Sequence, residues 1–254
     1  MASSSAEDEG GIRSWAVRRS GNRLLDRLPL ADLELLQTQF VPVILTMGSQ
    51  LEFGDRATSF AVFPCDSTVL SLQIATEDGR AVEALMVGAE GVVGQPSDLT
   101  GLRGLRCQVL AGGPGLKVEA SRLAAAAAAA PSLQALLDGY RTALLGQAMQ
   151  AAACAALHQV EERTCRRLLE LHDRIGRAEL PMTQEALADA LGVRRTTITR
   201  IIAGLEERGL VQHRRSRVLV LDRKGLEAAS CECHGAVAAM FARLVPGLYP
   251  SAGG

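Results

Sequence analysis

The stretch "TQEALADALGVRRTTITRIIAGLEERGLVQHRRSRVLVLD", residues 183–222, decides how the C-terminal part of the chain folds. Its first part predicts a short helix that begins after Thr183, a favourable N-cap residue, and ends at Gly192. A second helix follows, with apolar residues at three- and four-residue steps: Ile198, Ile201, Ile202 and Leu205. Two short helices joined by a turn of about three residues that contains glycine form a helix-turn-helix pattern.

The polar residues of the second helix indicate what it contacts. On a helical wheel Thr196 and Arg200 lie opposite the isoleucines, and Arg195 lies at the exposed N-terminal flank. The N-terminal residues of a recognition helix face base edges in the major groove, and arginine can bind guanine O6 and N7 with two hydrogen bonds. We therefore predict that these three residues contact bases. Nearby side chains are predicted to contact phosphates: Thr183, Arg194, Thr197 and Thr199.

A basic hairpin is predicted directly after the second helix. "LVQHRR" and "RVLVLD" are two short strand patterns on either side of Arg215-Ser216. Together with the preceding helices they predict a winged helix-turn-helix domain over residues 175–229, in which Arg214, Arg215 and Arg217 meet the DNA backbone. The alternatives are a solvated basic hairpin and a generic helical tail.

The charge distribution supports this prediction. Residues 194–224 have a net charge of +6, whereas the whole chain has a net charge of −1 and the remainder therefore carries −7. A basic module attached to an acidic body is typical of nucleic-acid-binding proteins. The first residues, "MASSSAEDEGG", lack the apolar core of a secretory signal, and no apolar run is long enough to span a membrane. We expect a cytoplasmic protein with reduced thiols.

The N-terminal half predicts a different kind of structure. Residues 1–22 are polar and are expected to be disordered, and residues 23–130 to form an effector or sensor domain with flanking helices. Short strand patterns such as "VPVIL", "FAVF", "TVLSLQIA" and "AVEALMV" alternate with turn patterns such as "EDGR" and "AGGPG". Regularly spaced short strands with glycine turns predict an antiparallel roll or barrel, so the fold class is α+β.

A long helical pattern without an internal proline occupies residues 131–174. Such helices commonly pair with a copy of themselves, and small residues along the stripe allow close approach. We predict that this helix forms a homodimer through an apolar stripe: Leu133, Leu137, Tyr140, Leu144, Met149, Ala152 and Ala156. The alternative is a core helix packed on the strands.

The C-terminal extension, residues 230–254, contains "CECH", in which Cys231, Cys233 and His234 offer two thiols and an imidazole. Metal sites usually require a two-residue gap and a second ligand pair, and nothing nearby in the sequence supplies that pair. We therefore predict neither a metal nor a cofactor, and interpret the segment as the start of a helix with incidental cysteines.

The order of strand roll, long helix and winged helix-turn-helix resembles the Crp/Fnr family of bacterial transcription regulators. The resemblance covers about residues 24–229 and is most specific in "TQEALADALGVRRTTITRIIAGLEERGLV", with further matches in "LLDRLPLADLELL" and "VEERTCRRLLELHDR". It implies a cyclic-nucleotide-binding-like jelly roll, a homodimer on a palindromic operator in double-stranded DNA, and base reading by Arg195, Thr196 and Arg200. RNA polymerase and an unidentified small-molecule effector are further partners that it suggests.

The resemblance also defines a candidate effector pocket. Cyclic-nucleotide-binding members carry a glycine–glutamate cassette followed by an Arg-Ser pair, and "VGAEGVVGQPSDLTGLRGLRCQVLAGG" lacks that pair. A phosphate would therefore lack its bidentate partner, and we expect no binding of cyclic AMP. The candidate residues are Gly88, Glu90, Gly91, Gly94, Arg103 and Arg106. No cysteine precedes Cys65, which argues against the N-terminal iron–sulfur cluster of oxygen-sensing members.

Two classes of function remain open at the level of sequence. The first is a dimeric DNA-binding regulator whose activity responds to a signal through the roll. The second is a small-molecule-binding protein or an enzyme that carries the winged helix as an accessory. An enzyme needs a catalytic constellation in residues 41–122, and the sequence offers none there, so we expect a protein that is not an enzyme.

Overall fold

The computed structural model describes residues 20–51, 60–94 and 104–249. Most of the segment expected to be disordered, the effector-pocket candidate Arg103 and the last five residues of the C-terminal extension lie outside these ranges. The described part combines helices with antiparallel sheets, which confirms the predicted α+β class.

In the described part of the N-terminal half, seven strands form a roll, and a 3-10 turn and one helix precede them. The turn is Leu25–Arg27, and helix α1, which follows Pro29, is Leu30–Gln37. The strands are β1 Val41–Leu45, β2 Gln50–Leu51, β3 Phe60–Pro64, β4 Val69–Ala75, β5 Ala81–Val87, β6 Leu105–Ala111 and β7 Gly113–Glu119.

The seven strands form two antiparallel sheets. One has the order β1-β7-β3 and the other β2-β6-β4-β5. Both sheets contribute to one apolar cluster: Leu45, Val62, Leu70, Leu72, Val87, Val93, Cys107 and Val109. The "AGGPG" segment is not the hairpin turn that the glycines predicted, because β6 and β7 lie in different sheets and only Gly112 separates them.

The predicted long helix at 131–174 is two helices rather than one. Helix α2, Ala120–Ala129, precedes α3, Pro131–Leu157, and α4 is Val160–Ile175. His158 is extended, with φ −105° and ψ 149°. Gln159 then starts α4 with a capping box, in which the Gln159 backbone N–H donates to Glu162 Oε2 at 3.0 Å. The local cap therefore ends one helix and begins another.

The C-terminal extension folds back onto the roll. Helix α8, Cys233–Leu244, packs along α3, where Gly146 lets Met240 approach closely because any β-carbon there would overlap the Met240 sulfur. Phe241 and Tyr249 join a core that includes residues of α1, α2, α3, β3, β7 and the N-terminal turn. Residues that the sequence placed in a C-terminal extension thus complete the core of the roll domain.

The winged helix-turn-helix follows α4 and precedes α8 in the chain. Its elements after α4 are β8 Glu179–Leu180, α5 Gln184–Leu191, α6 Arg195–Glu207, β9 Val211–Arg214, β10 Arg217–Val220 and α7 Arg223–Ala228. The three strands pair antiparallel in the order β8-β10-β9. Its apolar core is continuous with Val69, Met86 and Ala111 of the roll, so the two domains are packed together.

Candidate nucleic-acid interface

The helix-turn-helix is built by two local features. The Thr183 hydroxyl caps α5 by accepting from the Ala186 backbone N–H at 3.0 Å, and Gly192 ends this helix in the left-handed conformation at φ 66°. After Val193 and Arg194, helix α6 begins at Arg195. The predicted apolar stripe of α6 is largely confirmed, since Ile198, Ile202 and Leu205 are buried and Ile201 is half-buried.

The opposite side of α6 is a polar, solvent-facing surface. Arg195, Thr196 and Arg200 are all exposed, as the sequence predicted for base-reading residues. The exposed Ala203 continues the same side of the helix with a small side chain. We refer to Arg195, Thr196, Arg200 and Ala203 as the reading face. The residues predicted for phosphate contact are exposed or half-buried around it: Thr183, Arg194, Thr197 and Thr199.

Several of these side chains already have partners in the chain. Arg195 Nη1 lies 3.3 Å from Glu185 Oε2, and both side chains are 66% exposed. Thr199 donates to Gln184 Oε1 at 2.7 Å. These contacts link the start of α6 to the start of α5 and orient Arg195. In the part of the chain that the structure describes, Arg200 makes no hydrogen bond or ion pair, so its guanidinium is available to a ligand.

The wing extends the positive surface. Arg214 and Arg217 are opposite each other in the β9–β10 pair, and Arg215 lies in the turn between the strands. Arg217 Nη1 contacts Glu179 Oε1 at 2.8 Å, and this hydrogen bond lowers the pKa of the Glu179 carboxyl. Arg214 donates to Gln212 Oε1 at 3.1 Å. All three arginines are exposed, which is consistent with contact to phosphates.

Helix α4 holds the helix-turn-helix against the rest of the chain through contacts that the sequence did not indicate. Arg163 Nη2 donates to the Leu191 carbonyl at 3.0 Å, directly before the turn. Arg208, at the end of α6, contacts Glu161 at 2.9 Å. Both contacts join residues far apart in sequence, so no periodicity or spacing pattern could have indicated them.

The five residues predicted for an effector pocket that lie within the described ranges differ in their burial and their partners. Gly88, Glu90 and Gly91 are buried, and Glu90 is held by Arg174 at 2.7 Å and by Arg23 at 3.1 Å. Gly94 is half-buried, and Arg106 is exposed on β6. The glutamate of the predicted pocket is therefore already paired with two arginines of its own chain.

The residues predicted for dimerisation divide into two groups. Leu133, Leu137 and Tyr140 are buried in the core of their own chain, and Leu144 is half-buried against it. They are therefore removed from the predicted interface, since a partner cannot reach them. The exposed members are Met149, Ala152 and Ala156. The sequence could not separate the two groups, because both recur at three- and four-residue steps on α3.

A cleft of about 270 Å³ lies where the roll meets α3, α4 and α5. Its wall includes the polar side chains of Glu83, Arg166, Arg167 and Glu170. Burial raises the pKa of the Glu83 carboxyl, although Arg167 lies 2.6 Å away and Ser71 donates to it. The cleft also contacts Leu191 at the end of α5, so its contents would touch both domains.

Comparison with known proteins gives a consistent result. Residues 162–229 match the Crp-like helix-turn-helix domain family. FixK2 from Bradyrhizobium japonicum has a TM-score of 0.64 and 17% identity, over 76% of this chain and 98% of that one. A Crp/Fnr-family transcriptional regulator from Thermus thermophilus has a TM-score of 0.60 and 20% identity, over 75% and 98%.

The regulator CLP from Xanthomonas campestris, described as c-di-GMP responsive, has a TM-score of 0.61 and 16% identity, over 76% of this chain and 100% of its own. Comparison with curated proteins finds no similar sequence. No helix within the described ranges has both the length and the apolar character needed to cross a membrane. Residues 162–229 therefore belong to the Crp-like helix-turn-helix domains, and the chain has the fold of the Crp/Fnr transcriptional regulators.

Proposed function

We propose that this protein is a sequence-specific DNA-binding transcription regulator. The observation that supports this most strongly is the reading face of α6, exposed next to the basic wing on a Crp-like helix-turn-helix domain. An arginine at the start of a recognition helix can reach base edges, while a basic hairpin beside it suits the phosphate backbone. The resemblance to transcription regulators makes this function a better account of the chain than catalysis.

We further propose that the protein acts as a homodimer. The exposed surface of α3 contains Leu145, Met149, Ala152 and Ala156, which succeed one another at steps of four, three and four residues. This is the spacing of the contact positions in a two-stranded coiled coil, and the alanines allow close approach. Leu145 is 64% exposed and Met149 66%, so an unpaired helix would leave a large apolar stripe in water. We call these four residues the α3 stripe.

The two-fold symmetry of a dimer determines the symmetry of the operator that it binds. Two recognition helices related by a two-fold axis read a palindromic site whose half-sites lie about one helical turn apart. An effector that entered the cleft between the roll and α5 would contact Glu83 and Leu191 together, and it would therefore favour one arrangement of the two domains. We propose this cleft, rather than the buried Glu90 region, as the place where a signal acts.

The test is selection of bound DNA from a random pool with the full-length protein, followed by titration of the selected sequence at several salt concentrations. We expect a palindromic sequence and an affinity that falls steeply with salt. The matched control is the Arg195→Ala/Arg200→Ala double variant, whose selected sequences should lose the preference at two positions of each half-site. Recovery of no consensus sequence by the unsubstituted protein would reject sequence-specific binding.

A further inference from the structure

Four potential metal ligands come together beside the break between α3 and α4. Cys154 and His158 lie one helical turn apart at the end of α3, and Cys231 and Cys233 flank the start of α8. Their three sulfur atoms and an imidazole nitrogen all lie within 4.8 Å of one another. Cys154 and Cys231 are separated by 77 residues in sequence, so only the packing of α8 on α3 creates the cluster.

Two of the distances between these donor atoms match the edges of a tetrahedral zinc site. Cys154 Sγ lies 3.6 Å from Cys231 Sγ, and Cys233 Sγ lies 3.5 Å from His158 Nδ1. Zinc bonds sulfur at about 2.3 Å and imidazole nitrogen at about 2.0–2.1 Å, so a regular tetrahedron has S···S edges of about 3.8 Å and S···N edges of about 3.6 Å. A disulfide, by contrast, requires about 2.05 Å between its sulfurs. The donors are thus spaced as ligands around a shared centre.

The surroundings of the cluster favour a bound cation. All three cysteines are at most 6% exposed, which protects the ligands from water. His158 directs Nδ1 towards Cys233, and its Nε2 lies 3.2 Å from the carboxylate of Glu232. A carboxylate on the second nitrogen of a ligating histidine fixes the ring orientation and raises its basicity. Gln150 Nε2 donates to Cys233 Sγ at 3.0 Å, as a donor to a thiolate would.

We propose that Cys154, His158, Cys231 and Cys233 bind one zinc ion. Three thiolates and one imidazole are a soft ligand set that suits zinc, and four protein ligands leave no open position for a substrate. The site is therefore structural. The three thiolates exceed the ion by one negative charge, and Arg166 lies close enough to interact electrostatically with all three cysteines.

This proposal revises the prediction made from "CECH". The second ligand pair exists, but it is the Cys154–His158 pair on a distant helix rather than a neighbouring motif. His234, the histidine of the motif itself, is not a ligand, because its Nε2 contacts Asp173 Oδ2 at 2.8 Å. The ion would bond the end of α3 and the extended residue His158 directly to α8. It would thereby fix the direction in which the chain leaves α3 towards the DNA-binding domain.

The experiment measures metal binding by the full-length, reduced protein. Metal content should be close to one zinc per chain after purification without chelator. Co²⁺ added to stripped protein should give the visible absorption of a tetrahedral thiolate site, and Zn²⁺ should displace it. Cys154→Ser and Cys233→Ser should each abolish that spectrum. Cys107→Ser, which removes a buried thiol in the roll, is the matched control and should retain it.

Two milder variants test the proposal even if the cysteine variants fail to fold. Glu232 is largely exposed, so Glu232→Gln should fold normally, and loss of a carboxylate behind a ligating histidine should weaken Zn²⁺ binding by about 10–100-fold. His158→Asn, which removes the imidazole ligand itself, should weaken Zn²⁺ binding further. Unchanged affinity in both variants would overturn the proposal. So would a Cys154–Cys231 disulfide in protein isolated without reductant, combined with no Co²⁺ spectrum after reduction, which would indicate a redox pair instead.

Discussion

Arg174 Nε lies 2.7 Å from Glu90 Oε1, and the two side chains are 0% and 2% exposed. The pair joins the DNA-binding half of the chain, through α4, to the loop after β5 in the roll. Arg23 contacts the second carboxylate oxygen, and the Gly88 backbone N–H donates to the first at 3.0 Å. Burial alone would raise the pKa of Glu90, but Arg174, Arg23 and this N–H together lower it below its ordinary value.

Removal of Arg174 should strongly destabilise the protein. In Arg174→Met the Glu90 carboxylate loses its closest cation while it stays buried, and breaking a buried pair costs about 3–5 kcal/mol. The measurement is urea unfolding followed by circular dichroism. Arg122→Met removes an exposed pair with Glu119 and is the matched control, with an expected loss of at most about 1 kcal/mol. If the free energy of unfolding falls equally in the two variants, the buried pair stabilises the fold no more than the exposed pair does.

The same pair predicts a pH dependence. Because the pKa of Glu90 is lower in the folded chain than the ordinary value of 4.5, its ionised form stabilises the fold at pH values above 4.5. That stabilisation is lost as the pH falls from 4.5 through the folded pKa. The free energy of unfolding should therefore fall on acidification, and it should fall less in Glu90→Gln, which cannot titrate. If the free energy of unfolding falls equally with pH in the two proteins below pH 4.5, Glu90 is not the group responsible.

Base reading and phosphate contact should be separable by mutation. Arg195→Ala and Arg200→Ala should each relax the preference at one operator position by about 1–3 kcal/mol. Arg214→Ala and Arg215→Ala should instead weaken binding to operator and random DNA alike and reduce the salt slope by about one unit.

The comparison requires titration of each variant against the selected operator, its single-base variants and random DNA. Arg122→Ala, far from the wing, should change nothing. If Arg195→Ala and Arg200→Ala weaken operator and random DNA equally, α6 contacts only phosphates.

The dimer should depend on the α3 stripe. Leu145→Asp or Met149→Glu places a charge in an apolar seam, so each should shift the protein from dimer to monomer in light scattering. Ile44→Glu is the control, since Ile44 is an exposed apolar residue on β1, 79% exposed and outside the stripe. A dimer mass that persists in both stripe variants would locate the interface elsewhere.

Two glycines in the helix-turn-helix should respond to alanine in opposite directions. Gly192 has φ 66°, where a β-carbon costs about 1–2 kcal/mol, although alanine there would make only an ordinary contact with Val82 at 3.5 Å. Gly204 lies inside α6 with open space around it, so Gly204→Ala should stabilise the fold by about 0.5–1 kcal/mol. Thermal unfolding of the two variants measures both effects, and a stabilising Gly192→Ala would contradict the turn geometry.

Local patterns in the sequence were sufficient for the helix-turn-helix and for several strands of the roll. Alternation in "TVLSLQIA" and "AVEALMV" indicated β4 and β5, and the spacing of Ile198, Ile202 and Leu205 indicated the buried face of α6, because each pattern depends on neighbours within one element. The break at His158 was missed although it has a local cause, since glutamine is an uncommon first residue of a capping box.

Features that depend on distant contacts could not be predicted. The pairing of Glu90 with Arg174, the burial of Leu133 and Tyr140, and the approach of Cys231 to Cys154 all require the packed arrangement of the helices. For this reason the effector and dimer predictions included residues that lie buried in their own chain, such as Glu90 and Leu133. Those predictions used the position of a residue in the family's motif or its spacing along a helix. Neither of these indicates which face of a helix is buried against the rest of its own chain.

The return of α8 to the roll changes how the domains are arranged along the chain. Leu24 and Phe241 belong to one core, and the Tyr249 ring lies 5.2 Å from the Arg174 guanidinium carbon. The winged helix is therefore an insertion within the roll domain and not a tail behind it. The chain up to Tyr249 must leave the ribosome before that core can close. The DNA-binding domain, whose contacts are more local, can therefore fold before the roll domain that encloses it in sequence.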